Sequence, residues 1–310
     1  MFWTVDMRTD YSNRLGAAAW QQRLAIEKSP KHRAKNHTLR NPPAWHPYAI
    51  LHGMLKLSGL MRLAHKQYLS PVVERNAFTL TNLPEALHNF TLLQITDIHA
   101  DLDPGHLPFL IDTIKIVDYD LCVLTGDFQN AFDATSTAIE LLHPVLSTIQ
   151  KPCFAVPGNH DTIEMIEQLE QAGLPFLLNE NVLINHDGAT LHLCGIDDPI
   201  YFRGHNLVKA RQGVAADAVT ILLSHVPTTA EDASRLGYDI QLSGHTHGGQ
   251  LCLPGGIPIA KGSTPRSRAS GAWRVGRLQG YTSRGVGASH IPARLFCPPE
   301  ITLHTLKRIG

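Results

Sequence analysis

Between residues 90 and 306, short apolar runs alternate with helical segments, and this alternation constrains the fold more than any other feature of the chain. The predicted strands are 90–96, 121–125, 153–156, 182–184, 190–196, 219–224, 240–242, 278–282 and 301–306. The predicted helices between them are 107–116, 135–149, 162–172 and 229–236. This order is typical of an α/β protein in which helices cover the sheets. In such folds, ligands bind at the loops that follow the carboxyl ends of the strands.

Polar motifs stand at the ends of five of these apolar runs. In chain order they are Asp97-Ile98-His99, Gly126-Asp127, Gly158-Asn159-His160-Asp161, Ser224-His225 and Gly244-His245-Thr246-His247. Because all five follow strands, we predict that they converge on one site. Carboxylate, amide and imidazole ligands without thiolate favour Mn, Fe or Zn over Ca or a thiolate-held structural zinc.

Each motif also has an ordinary structural explanation when it stands alone. Gly126-Asp127 is typical of a turn, and His225 alone fits a buried, hydrogen-bonded histidine. Asp161 fits an N-cap for the following helix. The glycine-flanked pair His245 and His247 is harder to explain in this way, since glycines let the backbone turn tightly. Their joint occurrence, in order and at strand ends, indicates a metal site.

Together the five motifs resemble the signature of the calcineurin-like metallophosphoesterase superfamily, over roughly residues 90–305. The resemblance implies an α/β fold, a four-layer α/β/β/α metallophosphoesterase sandwich, with two divalent metal ions (Mn, Fe or Zn). The implied ligand sets share Asp127 and are Asp97, His99, Asp127 and His247 for one ion and Asp127, Asn159, His225 and His245 for the other. A hydroxide shared by the two ions would attack phosphorus in line.

His160 and Asn130 are the implied catalytic residues beside the metal ligands. The resemblance places His160 at the leaving oxygen as a proton donor or charge stabiliser. Many phosphoprotein phosphatases of the superfamily carry Asp, which orients the catalytic His, and then Arg at the positions of Asn130 and Ala131. Asn130 can accept a hydrogen bond from His160 but would raise its pKa less than a carboxylate. The missing Arg argues against a protein phosphatase.

Basic segments flank the region of the motifs. The formal net charge of the chain is +0, so no overall field favours a polyanionic partner. From Lys28 to Val73 there are eight Lys or Arg and no acid, and from Leu251 to Pro299 there are seven and no acid. We predict a helical N-terminal extension over residues 1–75 and a metallophosphoesterase catalytic domain over residues 76–310.

Within this extension, helices are predicted at residues 12–28 and 48–69. In the second helix the apolar side chains share one face and comprise Ile50, Met54, Leu57, Met61, Ala64 and Tyr68. The opposite side is basic and carries Lys56, Arg62, His65 and Lys66. Such a helix fits either an anionic membrane surface or packing of its apolar face on the catalytic domain.

The sequence shows neither an export signal nor a membrane-spanning segment. The first residues include Asp6, Arg8 and Asp10 instead of an apolar run. The uncharged stretch between Arg40 and Lys56 contains three prolines and two histidines and falls short of the ~20 apolar residues needed to span a bilayer. Five cysteines without a Cys-x-x-Cys motif favour a reducing compartment. We expect a cytoplasmic protein, with a peripheral position on the inner membrane as the alternative.

Three stretches of the tail, residues 245–251, 284–287 and 292–301, resemble a bacterial subgroup of membrane-associated phosphodiesterases. That subgroup is similar to UDP-2,3-diacylglucosamine pyrophosphatase-type enzymes. The resemblance implies a phosphodiesterase or pyrophosphatase acting on a small-molecule, nucleotide-linked or lipid-linked phosphoester. Arg284 and Arg294 are either phosphate contacts or solvated surface residues. The alternative functions are a non-catalytic binding scaffold and a nuclease, and no aromatic-interleaved basic groove favours nucleic acid.

Overall fold

The computed structural model describes residues 10–259 and 264–309. Asp6 and Arg8 of the predicted extension, and Lys261 of the basic tail, lie outside these ranges. Five helices precede the first strand and are α1 (Tyr11–Leu15), α2 (Ala17–Glu27), α3 (Pro30–Arg40), α4 (Pro47–Leu57) and α5 (Met61–Tyr68). The later helices are α6 (Leu107–Lys115), α7 (Thr135–Thr148), α8 (Ile163–Gln171), α9 (Leu207–Ala210) and α10 (Ala230–Arg235). Within the described ranges, none of the helices is long and apolar enough to cross a bilayer.

The strands form two large sheets and one short hairpin. They are β1 (Val72–Leu80), β2 (Thr91–Ile95), β3 (Leu121–Leu124), β4 (Cys153–Ala155), β5 (Glu180–His186), β6 (Ala189–Gly195), β7 (Thr220–Leu223), β8 (Ile240–Ser243), β9 (Cys252–Leu253), β10 (Ile257–Pro258), β11 (Gly271–Val275), β12 (Leu278–Thr282) and β13 (Glu300–Arg308). The first sheet has the order β1-β13-β2-β3-β4, and the second has the order β11-β12-β8-β7-β6-β5. Strands β2, β3 and β4 are parallel, as are β6, β7 and β8.

Side-chain alternation along the central strands builds the layers. Leu121 and Val123 of β3 belong to the apolar core between the two sheets. Cys122 and Leu124 of the same strand point the other way and pack with α6, α7 and α8. On the second sheet, Leu222 of β7 packs with α9 and α10. The order is therefore helices, sheet, sheet, helices, which confirms the predicted α/β/β/α architecture.

Four strands are absent from the prediction, namely β1, β11 and the two strands of the short hairpin, β9 and β10. Strands β1 and β11 lie at the edges of their sheets. Edge strands are partly exposed, so their sequences lack the continuous apolar run that indicates a buried strand. Strand β1 pairs with β13 along its whole length and crosses the predicted boundary at residue 75. The division of the chain at that boundary stays a prediction.

The helices of the extension differ from the predicted ones in three places. Gly16, with φ 93°, separates α1 from α2 within the predicted helix at 12–28. Gly59, with φ 75°, lies in the turn that divides the predicted helix at 48–69 into α4 and α5. Helix α3 is missing from the prediction, which places no helix between residues 28 and 48. Ser29 instead caps α3 by accepting a hydrogen bond from the backbone N–H of His32, and Pro30 opens it.

The break between α4 and α5 also divides the predicted apolar face. Ala64 and Tyr68 of α5 are fully buried. Ile50, Met54 and Leu57 of α4 are 51%, 60% and 91% exposed. Packing on the catalytic domain therefore explains the apolar side chains of α5 but not the outer face of α4.

Buried ion pairs fasten α1 and α2 to the rest of the chain. Arg14 pairs with Glu170 at 2.9 Å and with Glu180 at 3.1 Å. Arg23 is fully buried, pairs with Asp197, and lies 3.9 Å over the ring of Phe202. The extension thus packs directly against the region that carries the motifs.

Candidate metal centre

The loops that carry the predicted ligands leave one edge of the two sheets. Strands β2, β3 and β4 are parallel neighbours, so the loops that follow them lie side by side. Strands β7 and β8 are parallel neighbours in the facing sheet. These five loops carry the seven predicted ligands, which are Asp97, His99, Asp127, Asn159, His225, His245 and His247. The parallel topology explains why motifs far apart in the sequence meet.

Six of these side chains form two groups whose ligand atoms lie within 4.8 Å of one another. The first group is Asp97, His99 and His247, and the second is Asp127, His225 and His245. All six are buried except His245, which is partly exposed. Each group has the size and composition of a divalent-metal site with nitrogen and oxygen ligands.

Asp127 lies between the two groups. Its Oδ2 is 3.2 Å from Nε2 of His225, a member of its own group. The same oxygen is 3.5 Å from Nε2 of His99, a member of the first group. One carboxylate oxygen therefore faces histidines of both groups, which is the position that a bridging ligand occupies.

The hydrogen-bond state of the ligand atoms fits bound cations. Nδ1 of His99 lies 3.1 Å from the carbonyl of Gln129, and Nδ1 of His225 lies 2.7 Å from the carbonyl of Thr125. When Nδ1–H donates to a carbonyl, Nε2 carries the lone pair. Both Nε2 atoms and Oδ1 of Asn159 are buried and lack a hydrogen-bond partner within the described ranges. Buried acceptors without donors are costly, and metal ions would satisfy all three.

The backbone at the ligands is strained. The left-handed residues are Asp97 (φ 54°), His99 (45°), Asp127 (58°), His245 (73°) and His247 (49°). Non-glycine residues rarely adopt these angles, and such strain costs about 1–3 kcal/mol per residue. It persists where the surrounding structure holds a residue in place, as functional sites do.

Two motif glycines allow the loops to approach the carboxylates. A Cβ atom on Gly158 would lie 2.2 Å from Oδ1 of Asp127. A Cβ atom on Gly244 would lie 2.3 Å from Oδ2 of Asp97. A side chain at either position would displace a predicted ligand, so these glycines belong to the site as spacers.

Asp161 organises the second group from behind. Its carboxylate accepts hydrogen bonds from the backbone N–H groups of Asp127 (2.7 Å), Phe128 (2.9 Å) and Gly158 (2.7 Å). The prediction of Asp161 as the N-cap of α8 was wrong, because Thr162 holds that position. Because Thr162 caps α8, the Asp161 carboxylate can accept hydrogen bonds from the backbone of the ligand loops.

His160 lines the cavity beside the ligands. Its Nδ1 lies 2.6 Å from the main-chain carbonyl of Asn130, so Nδ1–H donates and Nε2 is left for a substrate. The side-chain Oδ1 of Asn130 is buried and has no hydrogen bond to any described residue. Asp101, which the sequence did not mark, holds the Asn130 loop by accepting from the backbone N–H of Asn130 (2.5 Å) and of Ala131 (3.0 Å). Thus the main chain of Asn130, and not its side chain, contacts His160.

The electrostatics of the second group favour positive charge. Burial opposes ionisation of Asp127, but the neighbouring His225 and His160 hold the pKa of its carboxyl well below the usual range. Burial would lower the pKa of His225, yet the Asp127 carboxylate raises that pKa to about 10. Burial lowers the pKa of His160 well below the usual range, and the charge of the Asp127 carboxylate acts in the opposite direction. A site that keeps a carboxylate charged and attracts a proton to His225 also attracts a cation.

The two tail arginines are structural. Arg294 is fully buried and donates to the carbonyls of His247 (3.0 Å) and Gly287 (2.9 Å). Arg284 pairs with Glu300 at 2.5 Å. Within the described ranges, the residues that line the cavity include neither arginine. The prediction was therefore wrong for Arg294, which is buried and supports the loop of a predicted ligand, whereas Arg284 is partly exposed and lies outside the cavity lining.

The two groups open into a cavity of about 510 Å³. Its lining includes residues of the extension, which are Lys35, Thr38, Leu39, His46, Tyr48 and Leu51. None of these was singled out as a site residue from the sequence, because none belongs to a motif. The extension therefore forms part of the wall around the candidate metal centre.

Comparisons with known proteins identify similar families and relatives. The family model "Calcineurin-like phosphoesterase" matches residues 90–249. The uncharacterized metallophosphoesterase YkuE of Bacillus subtilis (strain 168) is 29% identical over 78% of this chain and 89% of its own length. Phosphodiesterase YaeI of Escherichia coli (strain K12) is 34% identical over 59% of this chain and 69% of its own length. The sulfate thiohydrolase SoxB of Thermus thermophilus matches 73% of this chain and 57% of its own, with a TM-score of 0.45 and 14% identity.

The matched segment spans more than half of the chain and contains all five motifs. Its boundaries enclose strands β2 to β8 and every residue of the two ligand groups. The chain therefore belongs to the calcineurin-like phosphoesterase family and is a metal-dependent phosphoric ester hydrolase.

Proposed function

We propose that this protein is a dinuclear hydrolase that cleaves phosphodiester or pyrophosphate bonds. The observation that carries the proposal is the position of Asp127 between two groups of ligands on the wall of one cavity. Two divalent ions held there would supply hydroxide near neutral pH and positive charge for the phosphoryl oxygens. The nitrogen and oxygen ligands suit Mn, Fe or Zn.

Residues of the chain would hold and orient the reacting groups. Asp161 fixes the backbone of the Asp127 loop, and Arg294 supports the His247 loop. Nδ1 of His160 is held by the Asn130 carbonyl, which directs Nε2 toward the cavity. The leaving oxygen would lie at that nitrogen, and proton transfer to it would use the protonated ring, in which both nitrogens carry a proton. A histidine placed in this way contributes about 10²- to 10⁴-fold to the rate.

The lining of the cavity favours a substrate with an apolar or aromatic part. Leu39, Tyr48 and Leu51 of the extension form an apolar wall beside the metal groups. Lipid-linked and nucleotide-linked phosphoesters present such groups next to a phosphate. Ala131 offers no cation where many phosphoprotein phosphatases carry Arg, and the relative YaeI is named a phosphodiesterase. A diester or pyrophosphate therefore fits better than a phosphoprotein.

The purified full chain, loaded with Mn²⁺, tests the reaction class. We expect two ions per chain by elemental mass spectrometry and turnover of bis-p-nitrophenyl phosphate. Asp127→Ala should abolish that turnover because it removes a ligand from both groups. If the loaded protein shows no turnover above Asp127→Ala, the proposal fails and a non-catalytic binding scaffold replaces it.

A substrate panel then sharpens the class. It should contain UDP-2,3-diacylglucosamine, nucleotide diphosphosugars, cyclic nucleotides, and single- and double-stranded DNA. We expect the highest kcat/KM for a lipid-linked or nucleotide-linked diester or pyrophosphate. Faster cleavage of DNA than of these small molecules would identify a nuclease instead.

We also propose that the outer face of α4 lies on an anionic membrane surface. Ile50, Met54 and Leu57 are exposed on this face, and Lys56 is exposed on the same helix. The segment from Lys28 to Val73 contains no acid, so its charge complements anionic lipid headgroups. The membrane would therefore contact the helix that also lines the cavity.

Co-sedimentation with phosphatidylglycerol vesicles tests this surface. We expect binding that falls as salt rises, and that falls roughly tenfold or more in Leu57→Glu, since burial of a leucine contributes about 1.5–3 kcal/mol. Ile116→Glu is the matched control because Ile116 is also 80% exposed but lies outside the extension. Equal binding of wild type and Leu57→Glu would rule out this surface.

A further inference from the structure

Helix α3 lays one face over the cavity and is anchored on both sides of Lys35. His32 stacks on Phe132, with ring centroids 4.0 Å apart, and its Nδ1 lies 2.9 Å from the hydroxyl of Tyr201. Asn36 accepts a hydrogen bond from the backbone N–H of Phe132 at 2.8 Å. Residues 32, 35 and 36 share a helix face. The anchors therefore fix where the Lys35 side chain projects.

The Lys35 ammonium lies over aromatic rings at the cavity. Its Nζ is 3.7 Å from the ring centroid of Tyr201 and 5.1 Å from that of Phe132. Lys35 lines the same cavity as Asp127 and His160. Among the described residues, no carboxylate pairs with it and no hydrogen bond holds its ammonium. Burial lowers the pKa of Lys35, while the charge of Asp127 acts in the opposite direction.

A cation in this position needs an anion that the chain does not supply. Lys35 lines the same cavity as His160 and His245. With metal ions bound, Lys35 would add a further positive charge beside them. A partly buried cation that contacts aromatic rings but no anion is incompletely compensated, and a bound phosphoryl group would supply the missing negative charge.

We propose that Lys35 binds a phosphoryl oxygen of the substrate, so that the N-terminal extension supplies a substrate contact to the metal centre. The proposal rests on the phosphoester hydrolase function above. Lys35 lies outside the matched family segment, residues 90–249. The Lys35 ammonium lies over the ring of Phe132, which follows Ala131 in the sequence. Position 131 itself carries no cation. Specificity for the anionic group is thereby assigned to α3.

The test measures phosphate binding as well as turnover in the Mn²⁺-loaded full chain. Lys35→Met removes the charge and keeps most of the side-chain length. We expect the Kd of inorganic phosphate, measured by calorimetry, to rise about 10- to 100-fold, as for loss of a charged hydrogen bond. The KM for bis-p-nitrophenyl phosphate should rise by more than kcat falls. Lys31→Met is the matched control, because Lys31 is exposed on the same helix.

Two further readouts separate substrate binding from a structural role. Metal content and Tm of Lys35→Met should equal those of wild type, and Lys35→Arg should recover part of the phosphate affinity. An unchanged Kd for phosphate in Lys35→Met overturns the assignment, as does an equal loss in Lys31→Met. If the wild type binds phosphate through Lys35 but hydrolyses no ester, the proposed function fails and the Lys35 contact stands. If Lys35→Met hydrolyses diesters with the wild-type KM and binds phosphate with the wild-type Kd, the proposed Lys35 contact fails and the proposed function stands.

Discussion

The metal centre and the N-terminal extension face the same cavity but are built differently. At the metal centre, the ligands come in short motifs, each placed by the end of a strand. In the extension, His32, Lys35 and Leu39 reach the site or its surrounding loops from one helix face and form no motif. Under the proposed function, the metal centre would carry the reaction and the extension would carry contacts to the substrate.

The two regions are also connected through one buried arginine. Arg23 of α2 donates to the main-chain carbonyl of Asp161 and pairs with Asp197. The carboxylate of Asp161 in turn holds the backbone N–H of Asp127. Arg23 of the extension is thus linked to Asp127 through one intervening residue, Asp161. Separating the two regions experimentally therefore needs variants that act on one of them alone.

His160→Ala should have the largest effect, and it should fall on the reaction alone. We expect kcat to drop about 10²- to 10⁴-fold, because a positioned histidine at the leaving oxygen is lost. The drop should be greater for an alkyl phosphodiester than for a p-nitrophenyl ester, whose leaving group needs little proton transfer. The measurement is steady-state kinetics of the Mn²⁺-loaded variant with both esters.

His143→Ala is the control, since His143 is exposed on α7. It should leave kcat unchanged for both esters. An equal drop for the alkyl and p-nitrophenyl esters in His160→Ala would remove the leaving-oxygen role from His160. That result would also weaken the division of roles between the metal centre, which would carry the reaction, and the extension, which would contact the substrate.

The fold could be predicted wherever both faces of an element are buried. The central strands β2, β3, β7 and β8 are almost fully buried, and most of their residues are apolar, so their sequences indicate buried strands. Edge strands β1 and β11 have partly exposed faces and give no such run. Helix α3 was missed because Ser29-Pro30 follows one helix and starts another. A Ser-Pro pair is compatible with both, and only the packing of Leu39 and His32 distinguishes them.

The residues of the candidate site could be predicted from the sequence where their side chains act as metal ligands. All six residues of the two ligand groups come from motifs that the sequence displays. The contact to His160 comes from the main-chain carbonyl of Asn130, which every residue type possesses. The role of Asp161 depends on which residue caps α8, and Thr162 competes for that role. Lys35 was not identified because its position depends on tertiary packing alone.

Arg23→Met should have the next largest effect, on the attachment of the extension. The substitution leaves the buried carboxylate of Asp197 without its partner. We expect the free energy of unfolding to fall by about 3–5 kcal/mol, the usual cost of breaking a buried ion pair from one side. Urea unfolding followed by circular dichroism measures the change.

Two variants check the cause of that loss. Arg33→Met, which removes an exposed arginine from the extension, should change stability by less than about 0.5 kcal/mol. Asp197→Asn added to Arg23→Met should restore part of the stability, because the side chain at position 197 then no longer buries an unpaired charge. A loss below about 1 kcal/mol in Arg23→Met would mean that the extension is held mainly by its apolar contacts.

The smallest predicted effect is a loss of stability at acidic pH, which arises from His32 at the contact between α3 and the Phe132 loop. His32 is buried against Phe132 and Tyr201. Burial, with the charges of Lys35 and Arg23, lowers its pKa from 6.5 to about 4. The folded chain therefore keeps His32 neutral, whereas the unfolded chain takes up a proton as the pH falls below 6.5. Stability should be lost at up to about 1.4 kcal/mol per pH unit between pH 6.5 and 4, and the loss should level off below that range.

Urea unfolding at pH 7.5, 6.5 and 5.5, in wild type and in His32→Gln, isolates this contribution. Other buried histidines add to the acid sensitivity of both proteins, so the informative quantity is the difference between them. Wild type should be the more stable at pH 7.5, because neutral His32 keeps its stacking contact. Its advantage should shrink by about 1 kcal/mol at pH 5.5. His37→Gln, at an exposed position of the same helix, should follow the wild-type curve. Parallel curves for wild type and His32→Gln would show that protonation of His32 does not cause the acid-induced loss of stability. The buried His32 would then affect the pH dependence no more than the exposed His37 does.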